Sequence, residues 1–228
     1  MPKGGEAPIR AVRSRAYKIP TDAPEADGTF AWDSTTLITV EIDGGGQTGL
    51  GYTYTDESIV KLITGTLAKA SAGKDAMDPP GLNAALHRAV RNIGRGGLAA
   101  TAISALDAAC WDLKAKLLGL PLIRLLGAYR ADVPIYGSGG FTSYNDQQLT
   151  DQLGRWVHED GCAFVKMKIG THPEDDPRRV AVAKSAIGSA NLFVDANGAY
   201  GVKQAIDLSE RFAAAAAVAG KRSKDSRC

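Results

Sequence analysis

The sequence predicts an α+β region followed by βα units of a parallel sheet. Three observations carry this. Residues 35 to 55 hold two β-branched stretches, "TTLITVEI" and "TGLGYTYT", on either side of a Gly-rich turn. Ile103, Leu106, Cys110, Leu113 and Leu117 recur at three- and four-residue spacing, the period of one helix face. After Asp132, strand-like and helix-like stretches alternate, with Ile135, Lys166 and Asp195 about 30 residues apart, the length of a βα unit.

Residues 1 to 8 hold no apolar pattern and are expected to be disordered. "IRAVRSRAYKI" reads as the first strand, with residues 35 to 42 and 48 to 55 completing a small antiparallel meander. Lys18 to Asp33, with Pro20, Pro24 and Gly28, reads as a long acidic loop, and long loops are more often functional than idle. Gly44, Gly46 and Gly49 spell G-x-G-x-x-G but precede a strand, so a hairpin turn is expected rather than a dinucleotide loop. Val60, Ile63 and Leu67 share one helix face, and Leu86, Val90 and Ile93 share another. The longest helix is expected from about Leu98 to Leu118, closed by Gly119 and Pro121.

The second half reads as "VPIYGSGG" (strand), Asn145–Asp160 (helix), "AFVKMKI" (strand), a helix opened by Asp176-Pro177, "NLFVD" (strand) and a helix from Val202 to about Ala217. Three consecutive units imply a parallel sheet, either doubly wound or part of a (β/α)8 barrel. The boundaries follow: 9–130 for the α+β part, 131–212 for the βα units, 213–228 as an aberrant tail without strand pattern.

Of the 228 residues, 44% are hydrophobic, enough for a sizeable core in one or two domains. A net charge of +2 points to neither a nucleic-acid surface nor an acidic tail. Cys110, Cys162 and Cys228 are too scattered for a disulfide framework or a zinc site, so a reduced, cytoplasmic setting is expected. "MPKGGEAPIR" is not a signal peptide, and the apolar run Phe212 to Ala219 is too short to span a bilayer. His87, His158 and His172 form no cluster and are expected at the surface.

The chemistry lies in "CAFVKMKIG" and "LFVDANGAY". Strand side chains alternate, so Ala163, Val165, Met167 and Ile169 face covering helices while Phe164, Lys166 and Lys168 face the other way. In a doubly wound sheet that second face meets apolar helices and would bury two unpaired cations. In a barrel it faces the lumen near the C-terminal mouth, where such enzymes work. An edge strand with a solvated lysine face is the plainer alternative. Asp195 ends its strand, with Asn197 and Gly198 just beyond, and Asp-x-Asn-Gly also reads as simple turn chemistry. A lysine acting as a general base must be neutral near pH 7. Lys166, roughly 6.6 Å from Lys168 along the strand, would disfavour a second positive charge by about 2.5 kcal/mol at an effective dielectric near 20. Lys166 is therefore expected to help keep Lys168 deprotonated.

The Lys-x-Lys strand "KMKIG", followed one βα unit later by "VDAN", resembles the mandelate racemase and muconate lactonizing enzyme branch of the enolase superfamily. "AISALDAACWDLKAKLLGLPLIRLLG", residues 102 to 127, is similar to the segment that closes that family's capping domain. The resemblance covers roughly residues 8 to 212. It implies an α+β capping domain and then the first three βα units of a TIM-like barrel. It implies Mg2+ gripping a small carboxylate substrate, abstraction of the proton alpha to that carboxylate, and frequent homo-oligomers. By matching position, Lys168 would be the base, Lys166 its partner, Asp195 the first magnesium ligand and Asn197 a helper. The Lys18–Asp33 and Gly44–Tyr54 segments would cover the substrate.

The family's pattern calls for further carboxylates on the next two strands and an acid/base residue across the barrel. "AGKRSKDSRC" supplies none of these, and Asp207 and Glu210 belong to a helix. The expectation is a truncated gene product, inactive through truncation, from a racemase, dehydratase or cycloisomerase lineage. The competing reading is a non-catalytic remnant or interaction module. A doubly wound phosphate-handling protein leaves the inward lysines unexplained.

Overall fold

Proline lacks a backbone N–H, so a sheet tolerates it at an edge. This is how Pro20 and Pro24 are placed in a computed structural model of the chain, which describes the backbone of residues 6 to 225 and side chains of residues 6 to 216. They lie in β1 (Ile9–Ala26), the outer strand of a sheet ordered β1-β2-β3 with β2 (Ala31–Gly44) and β3 (Gln47–Tyr54). The expected loop at Lys18 to Asp33 is therefore corrected. It is the end of a long hairpin, and only the four residues between Ala26 and Ala31 turn the chain, closed by Asp27 N–H donating to the Phe30 carbonyl at 2.9 Å.

The chain forms two units. Met1–Pro20 and Ser34–Ala131 make the first, Thr21–Asp33 and Asp132–Cys228 the second. The hairpin end thus belongs with the βα units rather than with the meander.

In the first unit, β2 pairs antiparallel with β3 from Leu37↔Tyr54 to Gly44↔Gln47. The two-residue turn between them uses Gly45 and Gly46 at φ 56° and 83°, a left-handed region that favours glycine. Ile38, Val40 and Ile42 point inward and are fully buried. They meet helices α1 (Ile59–Leu62), a π-helical turn (Ile63–Leu67), α2 (Ala68–Ser71), α3 (Pro79–Ala89) and α4 (Leu98–Leu117), and the short α5 (Leu122–Leu125), which buries no residue, follows α4. The π turn makes Ile59, Ile63, Leu67 and Ser71 the buried row, and leaves Val60 only half-buried. α3 stops before Ile93, which is exposed rather than inward. Asp78 caps α3 by accepting from the Gly81 N–H, with Pro79 at its first position, as the fixed φ of proline allows.

Residues 6 to 8 are not disordered. Ala7 is buried, its N–H donates to Asp75 Oδ1 at 2.9 Å, and Pro8 bridges Asp75. The rest of that expectation, residues 1 to 5, lies outside the described residues.

In the second unit, β4 (Gly137–Gly139), β5 (Phe164–Lys168) and β6 (Asn191–Asp195) form a parallel sheet ordered β4-β5-β6. α6 (Asp146–His158), α7 (Asp176–Ile187) and α8 (Val202–Asp225) alternate with them. Val165, Met167 and Ile169 are buried against Leu149, Leu153, Val180, Ala183, Ile187, Leu208 and Phe212, as the strand alternation predicts, whereas Ala163 precedes the strand and is exposed. β4 is shorter than "VPIYGSGG" implies, and Ile135 lies outside it, exposed. Gly137 and Gly139 have no room for a side chain: a Cβ would stand 2.5 Å and 2.6 Å from Trp156 ring atoms. Asn145 and Gln148 cap α6 reciprocally, side chain to backbone, at 2.9 and 3.0 Å. α8 continues to Asp225, past the expected end near Ala217. The Ala213–Ala217 run is strongly helix-forming, so the backbone of the supposed tail is helical through Asp225. Residues 226 to 228 lie outside the described residues.

Candidate active site

Parallel pairing in register puts Lys166 opposite Phe193 and Lys168 opposite Asp195. Residues paired across neighbouring strands share a face, so both lysines and the carboxylate emerge on the side away from the helices. Lys168 and Asp195 are the last residues of their strands. Lys168 Nζ donates to Asp195 Oδ2 at 2.8 Å and to Asn197 Oδ1 at 2.7 Å, and Lys166 Nζ donates to the same Asp195 Oδ2 at 2.9 Å. The lysine side chains are 15% and 12% exposed and that of Asp195 34%, so the cluster opens to solvent on the carboxylate side. Asn197, at φ 49°, turns the chain so that its N–H caps Asp195 Oδ1 at 3.0 Å. All four residues singled out from the sequence therefore lie together.

Both lysine nitrogens converge on one carboxylate oxygen, so a single negative charge stands between them, which spacing along one strand does not show. Burial pulls the Lys166 ammonium down, but its hydrogen bond to Asp195 and the charge of that carboxylate outweigh this and raise it above the ordinary lysine value. Burial pushes the Asp195 carboxyl up, yet the bonds from Lys168, Lys166 and the Asn197 N–H hold it well below the usual carboxylate range.

Below the lysines the same face is aromatic. Phe164 and Phe193 stack at 5.9 Å, and Tyr136 meets Phe193 edge-on at 5.9 Å. Beside the site sits the hairpin end. Gly28 approaches the loops after β5 and β6 so closely that a Cβ would stand 2.4 Å from the Ala196 carbonyl oxygen and 2.7 Å from that of Ile169. The Asp27 carbonyl accepts the hydroxyls of Thr171 at 2.8 Å and Thr142 at 3.1 Å. Burial raises the Asp27 carboxyl, but the N–H groups of Thr29 and Phe30, the Thr29 hydroxyl and the charge on Lys168 bring it below the usual range. Asp27 was not identifiable as an individual residue from sequence; only the acidity of its segment marked it. The Gly44–Tyr54 segment is turn and strand within the first unit.

Among the described residues no three His, Cys, Asp or Glu side chains stand together in a way that could hold a metal ion. Mg2+ asks for near-octahedral oxygen coordination. Asp195 and Asn197 bring side-chain oxygens to this strand end, one Asp195 oxygen being shared by the two lysine nitrogens.

Comparison with known proteins defines the class. Residues 13–127 match the mandelate racemase / muconate lactonizing enzyme N-terminal domain, and residues 148–218 match the enolase C-terminal domain-like family. A structure of a mandelate racemase/muconate lactonizing enzyme-like protein from Rubrobacter xylanophilus is 52% identical, with a TM-score of 0.89 over 92% of this chain and 58% of that one. A racemase from Streptomyces coelicolor A3(2), solved with bound magnesium, is 34% identical, with a TM-score of 0.85 over 91% and 60%. The D-galactarolactone cycloisomerase of Agrobacterium fabrum is 32% identical over 90% of this chain and 56% of its own length. The L-talarate/galactarate dehydratase of Salmonella typhimurium is 35% identical over 73% and 43%.

The chain belongs to the mandelate racemase / muconate lactonizing enzyme family of the enolase superfamily. It carries the N-terminal capping domain and part of the C-terminal barrel domain. It spans 56% and 59% of the length of two curated cycloisomerases that it matches. No helix among the described residues is long and apolar enough to cross a membrane.

Proposed function

We propose that this chain carries the proton-abstracting side of an enolase-superfamily site acting on a small carboxylate. Lys168 is the base that removes the proton alpha to the carboxylate, Lys166 its cationic partner, Asp195 a carboxylate ligand for magnesium, and Asn197 its helper. One observation carries the reading: Lys168 and Asp195 end neighbouring parallel strands in register, with Nζ on the carboxylate at 2.8 Å. A strand-end lysine on the solvent-opening face can reach a substrate, and Lys166 beside it offers positive charge to a developing oxyanion. For Lys168 to accept a proton, Asp195 Oδ2 must first be drawn away from it. The reading extends to the reaction class alone, since a cycloisomerase, a racemase and a dehydratase all stand among the relatives.

A chimera joining this chain to the remaining barrel strands of the Rubrobacter xylanophilus protein tests the base. With a sugar acid in deuterated water, Lys168→Ala should slow α-proton exchange by roughly 10²- to 10⁴-fold, the usual weight of a positioned acid/base group. Substrate binding should largely survive. Exchange at the parent rate would remove Lys168 from the mechanism.

A second reading, a non-catalytic module of the same fold, is favoured by the lack of a three-residue metal cluster among the described residues. On this ground we also propose that these 228 residues alone bind magnesium weakly and turn over no substrate. Calorimetry should show no magnesium site tighter than about millimolar, because one carboxylate holds this ion poorly. A sub-millimolar site abolished by Asp195→Ala would contradict this.

A further inference from the structure

Asp176 and Arg179 lie one turn apart at the start of α7, 1% and 6% exposed. Burying charge is costly unless each charge is compensated and hydrogen-bonded. These two are bonded almost entirely to the loops that follow the strands. Asp176 Oδ2 accepts from the Gly170 N–H at 2.9 Å and from the Tyr200 hydroxyl at 2.5 Å. Gly170 follows Lys168 closely, and Tyr200 lies on the loop that begins at Asp195. Arg179 Nη1 and Nη2 donate to the carbonyls of Tyr144 at 2.7 Å and Phe141 at 2.9 Å.

The residues between those carbonyls receive the hairpin end. Thr142 N–H donates to the Ala26 carbonyl at 2.9 Å, and the Ser143 hydroxyl to that of Pro24 at 2.7 Å. Trp32 then packs edge-on against Phe141 at 5.7 Å. One helix turn thus ties together the loops after β4, β5 and β6 and, through the first, the hairpin end.

We propose that Asp176 and Arg179 are positioning residues for the site. Asp176 sets the two loops that carry the chain out of Lys168 and Asp195, and Arg179 sets the loop that docks the hairpin end beside them. Neither touches Lys166, Lys168 or Asp195. The inference concerns geometry and stands apart from proton abstraction.

Amide hydrogen exchange and NMR spectra of the full chain separate positioning from plain stabilisation. In Asp176→Ala the Gly170 amide should exchange roughly tenfold faster or more, as expected on losing a hydrogen bond to a charged group. The side-chain amide signals of Asn197, which report the Lys168 contact, should shift. In Arg179→Met the Thr142 amide should gain a similar factor and the Trp32 indole signal should move. Val165, Met167 and the first unit should keep parent protection in both. Tyr200→Phe and Arg179→Lys give milder versions if the first pair fails to fold. The phenylalanine variant should shift Asn197 and leave Thr142 unchanged; lysine, with one nitrogen in place of the two that hold these carbonyls, should still release Thr142. Unchanged Gly170, Thr142 and Asn197 signals, or an even loss of protection across the second unit, would overturn the proposal.

Discussion

At the residue scale, charge and burial decide what each group can do. Cys110 is fully buried in the first unit, its Sγ 3.7 Å from the Ala76 carbonyl oxygen. Burial, assisted by Asp107, pushes the thiol up to about 12. The folded chain therefore keeps that proton where an unfolded thiol, near 8.5, gives it up. Above pH ~8.5 the unfolded state binds fewer protons than the folded one, so stability falls as pH rises, by at most about 1.4 kcal/mol per pH unit. Urea unfolding between pH 8 and pH 10 should show this slope in the parent and a shallower one in Cys110→Ala. Equal slopes would mean that Cys110 ionises freely in the fold. Lys166 and Asp195 obey the same physics with opposite sign: their contact favours the charged form of both.

At the element scale, glycine lets β3 lie directly on α4. A Cβ at Gly51 would stand 2.0 Å from the Ala105 carbonyl oxygen, and one at Gly49 2.1 Å from that of Ala109. Both obstacles are helix backbone, which cannot swing aside as a side chain can. Gly51→Val must therefore push strand and helix apart across Val40, its partner in β2. The expected cost is at least about 1–3 kcal/mol, the usual range for overpacking. A fall in urea midpoint with little change in slope would report it, and an unchanged midpoint would mean that strand and helix lie further apart than described. Gly46, where a Cβ would meet nothing within 4 Å, constrains only its own backbone.

At the scale of the whole molecule, the two units are unequally finished among the described residues. The first encloses its core on a sheet and a set of helices, with Ile38, Val40, Ile42, Leu106 and Leu113 fully buried. In the second, β4 and β6 each pair on one side only, with β5. Phe193 is 47% and Tyr136 49% exposed on the face that carries the lysines. Unpaired strand edges and exposed aromatics invite local opening and association. Hydrogen exchange should find the strongest protection within Ala31–Gly44 and Leu98–Leu117, and weaker protection at Gly137–Gly139 and Asn191–Asp195. Limited proteolysis should cut first in the second unit. Uniform, strong protection from 137 to 212 in a soluble monomer would show that these edges are covered.

Much of this was legible in local pattern because local pattern sets local geometry. The alternation in "AFVKMKI" determined which side chains meet the helices and which carry charge, since strand period is fixed by the backbone. The three- and four-residue spacing of Ile103 to Leu117 located α4 to within a residue. The repeat of about one βα unit brought Lys168 and Asp195 to the same level before any register was known. Pairing across the fold was not legible in the same way. Pro20 and Pro24 looked like loop residues because a short window cannot show that their strand lies at a sheet edge. The two lysines looked like a repelling pair because sequence distance along one strand says nothing of the carboxylate that a neighbouring strand delivers between them. Asp176 was legible only as the start of a helix, and nothing in the local pattern marked Arg179. Their burial depends on Phe141, Tyr144, Gly170 and Tyr200, and Thr171 meets Asp27 across 144 residues. Local propensity determined the elements and the faces they present; only the tertiary structure decided which charges are shared, because electrostatic and hydrogen-bond energies depend on distance in space.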